Sequence, residues 1–312
     1  MRAQQLREWA ESRGYKAVHE GLESVEEVRR RLEERRRNGE FAGGFYERSL
    51  AGFKYLEGLA MKDPRGIIVV AFPRSAHTVE FEHGGRTITL LLPPTYVRYR
   101  PWFERIRRDL AAAVFGREDA VETLSAPLKS LAVGVGLAAY GRNNVAYVTG
   151  MGSYVQLAAY AVDVWPGPSD EDGTVDFRLD RMFEPCASCR YCAEACPTGA
   201  ISTARFMIDA TRCYTLHSES VEPMPAAMKP PSLDCLLGCL RCQRACPANR
   251  GLLRTKPSGV RFDEAETAAF LSDAEPIEGP LGDGIRQKLQ SLDLTEDMAV
   301  LRRNFRLVVE QR

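Results

Sequence analysis

The chain has 312 residues, 45% of them apolar, and its 42 basic and 42 acidic side chains cancel. That is enough chain to bury a large core in one or two domains. A zero net charge argues against a nucleic-acid partner or an anionic membrane surface, and runs such as Arg29-Arg30-Arg31, interleaved with acids, read as a solvated helix face.

The amphipathic, charged start, with no apolar stretch behind it, does not read as a secretory signal. The first 40 residues read as helical, with Ser24 as N-cap and Glu27 completing a capping box ahead of the Val25, Val28, Leu32 stripe. After the break at Phe41-Ala42-Gly43-Gly44 and a turn at Asp63-Pro64, residues 67–72 form a short β-branched run that predicts a buried strand. Residues 78–83 and 86–92 flank Gly84-Gly85, a hairpin signal. Helices are expected over 102–115 and 126–137, a strand over 145–149 and a helix over 156–162. The uncharged stretch 143–162 has the length of a membrane span, but its polar and glycine content fits a soluble core. Residues 166–173, Pro-Gly-Pro-Ser-Asp-Glu-Asp-Gly, read as a linker, and after Arg250 a polar tail follows, closed by a helix near 297–310.

All nine cysteines lie between positions 186 and 246. Such clustering reads as metal binding in a reducing compartment, and not as a disulfide framework. Cys189-x-x-Cys192-x-x-x-Cys196-Pro197 is repeated as Cys239-x-x-Cys242-x-x-x-Cys246-Pro247, and Cys186 extends the first copy. Three cysteines at i, i+3 and i+6 let one loop wrap a cubane. The fourth, followed by proline, reaches the other cluster. The spacing therefore assigns one [4Fe–4S] cluster to Cys186, Cys189, Cys192 and Cys246, and a second to Cys196, Cys239, Cys242 and one further thiolate. Cys235 and Cys213 both compete for that last place, and spacing does not decide between them. The competing reading is a pair of zinc sites, but zinc ribbons rarely carry three successive cysteines at this spacing and no histidine completes the set.

Three stretches together resemble one family: 136–144 (Gly-Leu-Ala-Ala-Tyr-Gly-Arg-Asn-Asn) with Gly152-Ser153-Tyr154 behind it, 186–201, and 209–213 followed by Gly238 to Pro247. The chain is similar there to the epoxyqueuosine reductases, relatives of the reductive dehalogenases. The resemblance covers residues 65–250. It implies an α+β fold: a nitroreductase-like, cobalamin-binding α/β domain followed by a two-[4Fe–4S] ferredoxin-like domain. It implies Cys213 as the eighth ligand, leaving Cys235 extra. It implies that Tyr140, Gly141, Arg142, Asn143 and Ser153 face cobalamin or substrate, with Tyr140 a candidate proton donor. The family's acid stands in a Val-Asp-Thr-x-Pro-like stretch. An ungapped match to Ser125-Ala126-Pro127 puts Leu124 at that place, whereas a two-residue insertion puts Glu122 there as the candidate acid.

The expected organisation is a helical segment over 1–44, the α/β domain over 45–173, the cluster domain over 174–255 and a tail over 256–312. The expected function is a cytoplasmic iron–sulfur reductase. It would take low-potential electrons from a ferredoxin or flavodoxin and pass them to cobalamin or a small-molecule substrate, without nucleic acid or membrane. The alternatives are a non-catalytic electron carrier serving another enzyme, and a tRNA epoxyqueuosine reductase proper.

Overall fold

A computed structural model describes residues 2–164, 177–225, 228, 234–272 and 277–310. The expected linker at 166–173 lies outside the described residues.

The central sheet has the order β1-β2-β8-β5, from β1 (Lys16–Glu20), β2 (Gly66–Pro73), β8 (Val155–Val162) and β5 (Val121–Thr123), all antiparallel. Alternate side chains of its two middle strands feed two different cores. Ile67, Val69 and Ala71 with Val155, Leu157 and Ala159 face one side, under the helix Glu23–Arg37 and the short helix Leu128–Gly134. Ile68, Val70 and Phe72 with Ala158, Tyr160 and Val162 face the other, under the helices Arg2–Ser12 and Tyr99–Leu110. A sheet covered on both faces needs strands apolar throughout.

That requirement explains one correction. Residues 156–162, expected as a helix, are the central strand β8, buried along its whole length. A run with no polar face carries no period-2 signal, so it cannot be told from a buried helix by periodicity. The N-terminal 40 residues are likewise not all helical, because β1 closes the sheet edge against β2. The capping box at Ser24 does not form. Helix Glu23–Arg37 begins two residues earlier with Leu22 as its cap, and Glu27 pairs with Arg30 and Arg31 instead.

A second sheet, β4-β3-β9, joins the hairpin β3 (Ala76–His83) and β4 (Arg86–Leu92) to β9 (Thr255–Phe262), which runs parallel to β3. Gly84 and Gly85 both take positive φ, +58° and +71°, as a two-residue hairpin turn demands. The C-terminal segment is a folded layer and not a polar tail. Helices Glu264–Leu271, Gly279–Leu292 and Met298–Glu310 pack on this sheet. Phe81 lies between Phe262 and Phe305, at centroid distances of 4.7 and 4.1 Å. Each fully buried phenyl ring contributes about 1.5–3 kcal/mol. A small ribbon, β6 (Ala139–Tyr140) with β7 (Ala146–Tyr147), carries the turn that meets the cysteine segment. Among the described residues no helix is long and apolar enough to cross a membrane.

Candidate metal centre and the cavity beside it

The two halves of the cysteine repeat fold alike. Cys192 and Cys242 each sit in a one-turn helix, Tyr191–Glu194 and Arg241–Arg244, and all nine cysteines are free thiols. Cys213 caps the helix Tyr214–Ser218. The electrostatic neighbours of the thiols fall into two sets, with Cys235 also feeling Cys239. Cys186 and Cys192 each feel Cys189 and Cys246. Cys239 feels Cys213 and Cys196, while Cys242 feels Cys239 and Cys213 and, across the two sets, Cys192. Cys235 packs with Tyr154 and Leu240, and its backbone bridges to Leu91.

Backbone amides approach several of these sulfurs. Burial raises the Cys196 thiol, but the Thr198 hydroxyl and the amides of Thr198, Ala200 and Ile201 bring it below its ordinary value. Burial also raises Cys213, against amides of Thr215 and Leu216. Burial, helped by the neighbouring thiols, pushes Cys192 up to about 11 and Cys242 up to about 12. Thiols held protonated by a dry site until a cation arrives, with N–H groups already turned toward them, suit metal-bound thiolate. Among the described residues no three Cys, His, Asp or Glu groups close on one point.

The Gly-Arg-Asn-Asn element is a clasp on this segment. The Arg142 guanidinium donates to the carbonyls of Cys186 (2.6 Å), Cys189 (2.9 Å) and Ala187 (3.3 Å). Asn144 donates through Nδ2 to Phe206 O (3.0 Å) and accepts at Oδ1 from the Ile208 amide (2.8 Å). Ser153 ties the second half. Its Oγ donates to Gln243 Oε1 (2.9 Å) and accepts from Asn249 Nδ2 (2.8 Å), and its amide donates to Asn249 Oδ1 (2.9 Å).

A cavity of about 930 Å³ lies between the α/β core and the cysteine segment. Its walls include Leu124, Lys129, Leu157, Asn143 and Ser153, and Cys213, Cys239 and Cys242 open onto it. Of the five expected cofactor contacts, Asn143 and Ser153 line it and the other three do not. Arg142 is spent on the clasp. Tyr140 is packed in the core, its hydroxyl sharing a hydrogen bond with Ser130 (3.0 Å) and its ring edge-on to Phe206. It stands off the cavity wall, which removes it as a proton donor there. Gly141 lies where a Cβ would strike Tyr147 and Asn143. Glu122 also stands apart from the cavity lining. Its carboxylate accepts the amides of Ala60 (2.8 Å) and Met61 (2.7 Å), a structural bond that takes both oxygens. Leu124, the residue at the ungapped position, is the one on the cavity wall.

Sequence reasoning missed Tyr96, Lys129 and Glu219. Tyr96 and Lys129 face the cavity, and the Tyr96 hydroxyl donates to Glu219 Oε1.

Residues 185–249 match the family model of the 4Fe–4S double cluster binding domain. The chain is 35% identical over 150 residues to an epoxyqueuosine reductase of Burkholderia pseudomallei, covering 47% of this chain and 35% of that one. To an epoxyqueuosine reductase of Staphylococcus aureus it is 24% identical over 236 residues, covering 73% and 59%. The solved epoxyqueuosine reductase of Streptococcus thermophilus superposes with a TM-score of 0.65 at 16% identity, over 98% of this chain and 80% of that one.

The fold is that of the epoxyqueuosine reductases. The chain holds two [4Fe–4S] clusters. It spans between about a third and three-fifths of the length of these curated relatives. An epoxyqueuosine reductase with a TM-score of 0.62 and 18% identity, aligned over 98% of this chain and 80% of its own, is solved with an epoxyqueuosine-modified tRNA stem loop. A neighbour of the same fold thus binds a nucleic acid, whereas charge alone led to the opposite expectation for this chain. Net charge counts the whole surface, whereas a stem loop is held by one face of it.

Proposed function

We propose that this chain is an iron–sulfur reductase acting on an epoxide-bearing base of tRNA. Cys186, Cys189, Cys192 and Cys246 hold one cluster. Cys196, Cys213, Cys239 and Cys242 hold the other, and Cys235 is a packing residue. Electrons from a ferredoxin or flavodoxin enter at the first cluster and leave from the second. The observation that carries this reading is the placement of Cys213, Cys239 and Cys242 on the cavity wall, so a reduced second cluster abuts the space where substrate must sit. The thiol groups are mutually close through Cys192 and Cys242, which supports transfer between them.

The cavity also suits a corrin, the cofactor the family resemblance implies. Its size is near the top of the usual range of roughly 300–1,000 Å³ for small-molecule sites, and Leu124, Val155 and Leu157 form an apolar floor edged by the amides of Asn143 and Gln156. Bound there, it supplies a low-potential metal centre between cluster and substrate. The protein's share is to exclude water and to hold the two halves of the cysteine segment against the α/β core. Such low-potential thiolate chemistry belongs in the reducing cytoplasm.

The test is anaerobic reconstitution followed by reaction of an epoxyqueuosine-containing stem loop with a chemical reductant, read by nucleoside mass spectrometry. About eight irons per chain and loss of one oxygen from the nucleoside are expected. Zinc in place of iron overturns the reading outright. An unchanged nucleoside beside two fully reducible clusters overturns the catalytic part and favours an electron carrier.

A further inference from the structure

The acid of the related enzymes is replaced here by Leu124 at the ungapped position, and Glu122 is occupied elsewhere, so the cavity needs another source of protons. Reduction of an epoxide to an alkene takes two electrons and two protons. Both C–O bonds break, one C=C π bond forms and the oxygen leaves as water. The electrons come singly from the reduced ferredoxin-type donor through the clusters. The protons need a group on the cavity wall.

Tyr96 stands where such a group should be. Together with Thr95 and Tyr99 it lines the main cavity and also a second cleft of about 390 Å³, whose other walls include Glu219, Asp293 and Asp297. Its ring is thus a partition between the two spaces. Its hydroxyl donates to Glu219 Oε1 across that partition. On the other side it lies against Gly238, just before Cys239. A Cβ at Gly238 would come within 2.8 Å of the Tyr96 oxygen, and φ is +71° there. Only a glycine leaves the hydroxyl this seat.

Glu219 is itself fixed by the C-terminal layer. Arg303 donates to the carbonyls of His217 (2.8 Å), Ser220 (2.5 Å) and Glu222 (2.5 Å), and Asn304 donates to Ser218 O (2.8 Å). Helix Met298–Glu310 therefore holds the turn on which Glu219 stands. The groups that face the Glu219 carboxylate are Tyr96, Lys129 and Asp297.

We propose that Tyr96 is the proton donor of the main cavity and that Glu219 recharges it from the adjoining cleft. Once Glu219 is protonated the bond reverses, its O–H donating to the Tyr96 oxygen, so that Tyr96 O–H gives its proton to the departing substrate oxygen as the Glu219 proton moves onto Tyr96. Glu219 then regains a proton from water in the second cleft, and a second passage completes the water molecule. Desolvation against Tyr96 raises the Glu219 carboxyl although part of its surface is open, with Asp297 adding to the rise against the pull of Tyr96 and Lys129. A carboxyl so raised carries a proton nearer neutral pH than an ordinary one. This relay rests on the reductase reading above, and its test separates the two.

In the reconstituted holoenzyme, infrared difference spectra across a pH titration should show a protonated-carboxyl band. Glu219→Gln should remove the band and Tyr96→Phe should shift its frequency. Iron content and thermal midpoint serve as controls that both variants fold. With the epoxyqueuosine stem loop and chemical reductant, Tyr96→Phe should slow single-turnover reduction about 100-fold, within the usual worth of a positioned acid, while cluster reduction keeps its rate. Glu219→Gln should flatten the pH dependence of that step. Wild-type turnover in Tyr96→Phe overturns the relay, as does a carboxyl band indifferent to Tyr96. If the wild-type protein leaves the stem loop unchanged, the substrate assignment fails, and the infrared arm alone decides whether the two residues exchange a proton.

Discussion

The two halves of the cysteine repeat are near copies in sequence and unequal in the fold. Cys186 and Cys192 are buried under their own loop, clasped from outside by Arg142 and flanked by Tyr191, which leaves 57% of its surface exposed. Cys213, Cys239 and Cys242 lie between the α/β core and the C-terminal layer, half-buried, and line the cavity. A duplicated motif thus yields one site beside an exposed surface and one that opens onto the cavity. The asymmetry comes from what the two copies pack against and not from the ligand pattern.

The largest expected effect tests that inequality at its most debatable residue. Cys213→Ser should cost the cavity-side cluster, lowering iron from about eight to about four per chain and abolishing turnover, while the outer cluster still reduces. On the proposed assignment Cys235→Ala should keep all the iron and lose about 1 kcal/mol of stability, because Cys235 packs beside Tyr154 and Leu240. Iron analysis with electron paramagnetic resonance decides it. The reverse pattern would make Cys235 the ligand and Cys213 the spare.

The cysteine pattern was legible in the sequence because a cubane's demands are local: residues three apart, one turn, one proline. The hairpin at Gly84-Gly85 was legible for the same reason. What failed was whatever depended on distant partners. Strand β8 looked helical because both its faces are covered by segments far along the chain. The C-terminal helices looked like a tail because the sheet they complete begins at Ala76. Tyr96 and Glu219 meet across 123 residues, and nothing in either stretch announces the other. Within the Gly-Arg-Asn element, Asn143 lines the cavity as expected, whereas Arg142 binds the cysteine segment. Family likeness marked the element as important, and only the fold showed that Arg142 holds the cluster loop.

Arg142→Ala comes next in expected size. It removes a charged donor from three carbonyls of the outer loop, so about 2 kcal/mol should be lost. The loss should be local. On exposure to air the outer cluster should bleach first, and iron should fall toward about four per chain while the cavity-side cluster persists. Equal loss of both clusters would show that the halves are coupled more tightly than their separate clasps suggest.

Ser153→Ala should have the smallest effect and sharpens the comparison from the other side. The hydroxyl gives one bond to Gln243 and takes one from Asn249, but the Ser153 amide keeps its own bond to Asn249 Oδ1. Asn249 Nδ2 also retains the Gln243 carbonyl at 2.8 Å. The inner clasp is therefore redundant where the outer one rests on a single guanidinium. A loss of about 1 kcal/mol is expected, measured as a lower urea midpoint with unchanged slope, and both clusters should survive air equally well. A loss as large as that of Arg142→Ala would mean that this hydroxyl, and not the backbone, carries the join between the α/β core and the second half of the cysteine segment.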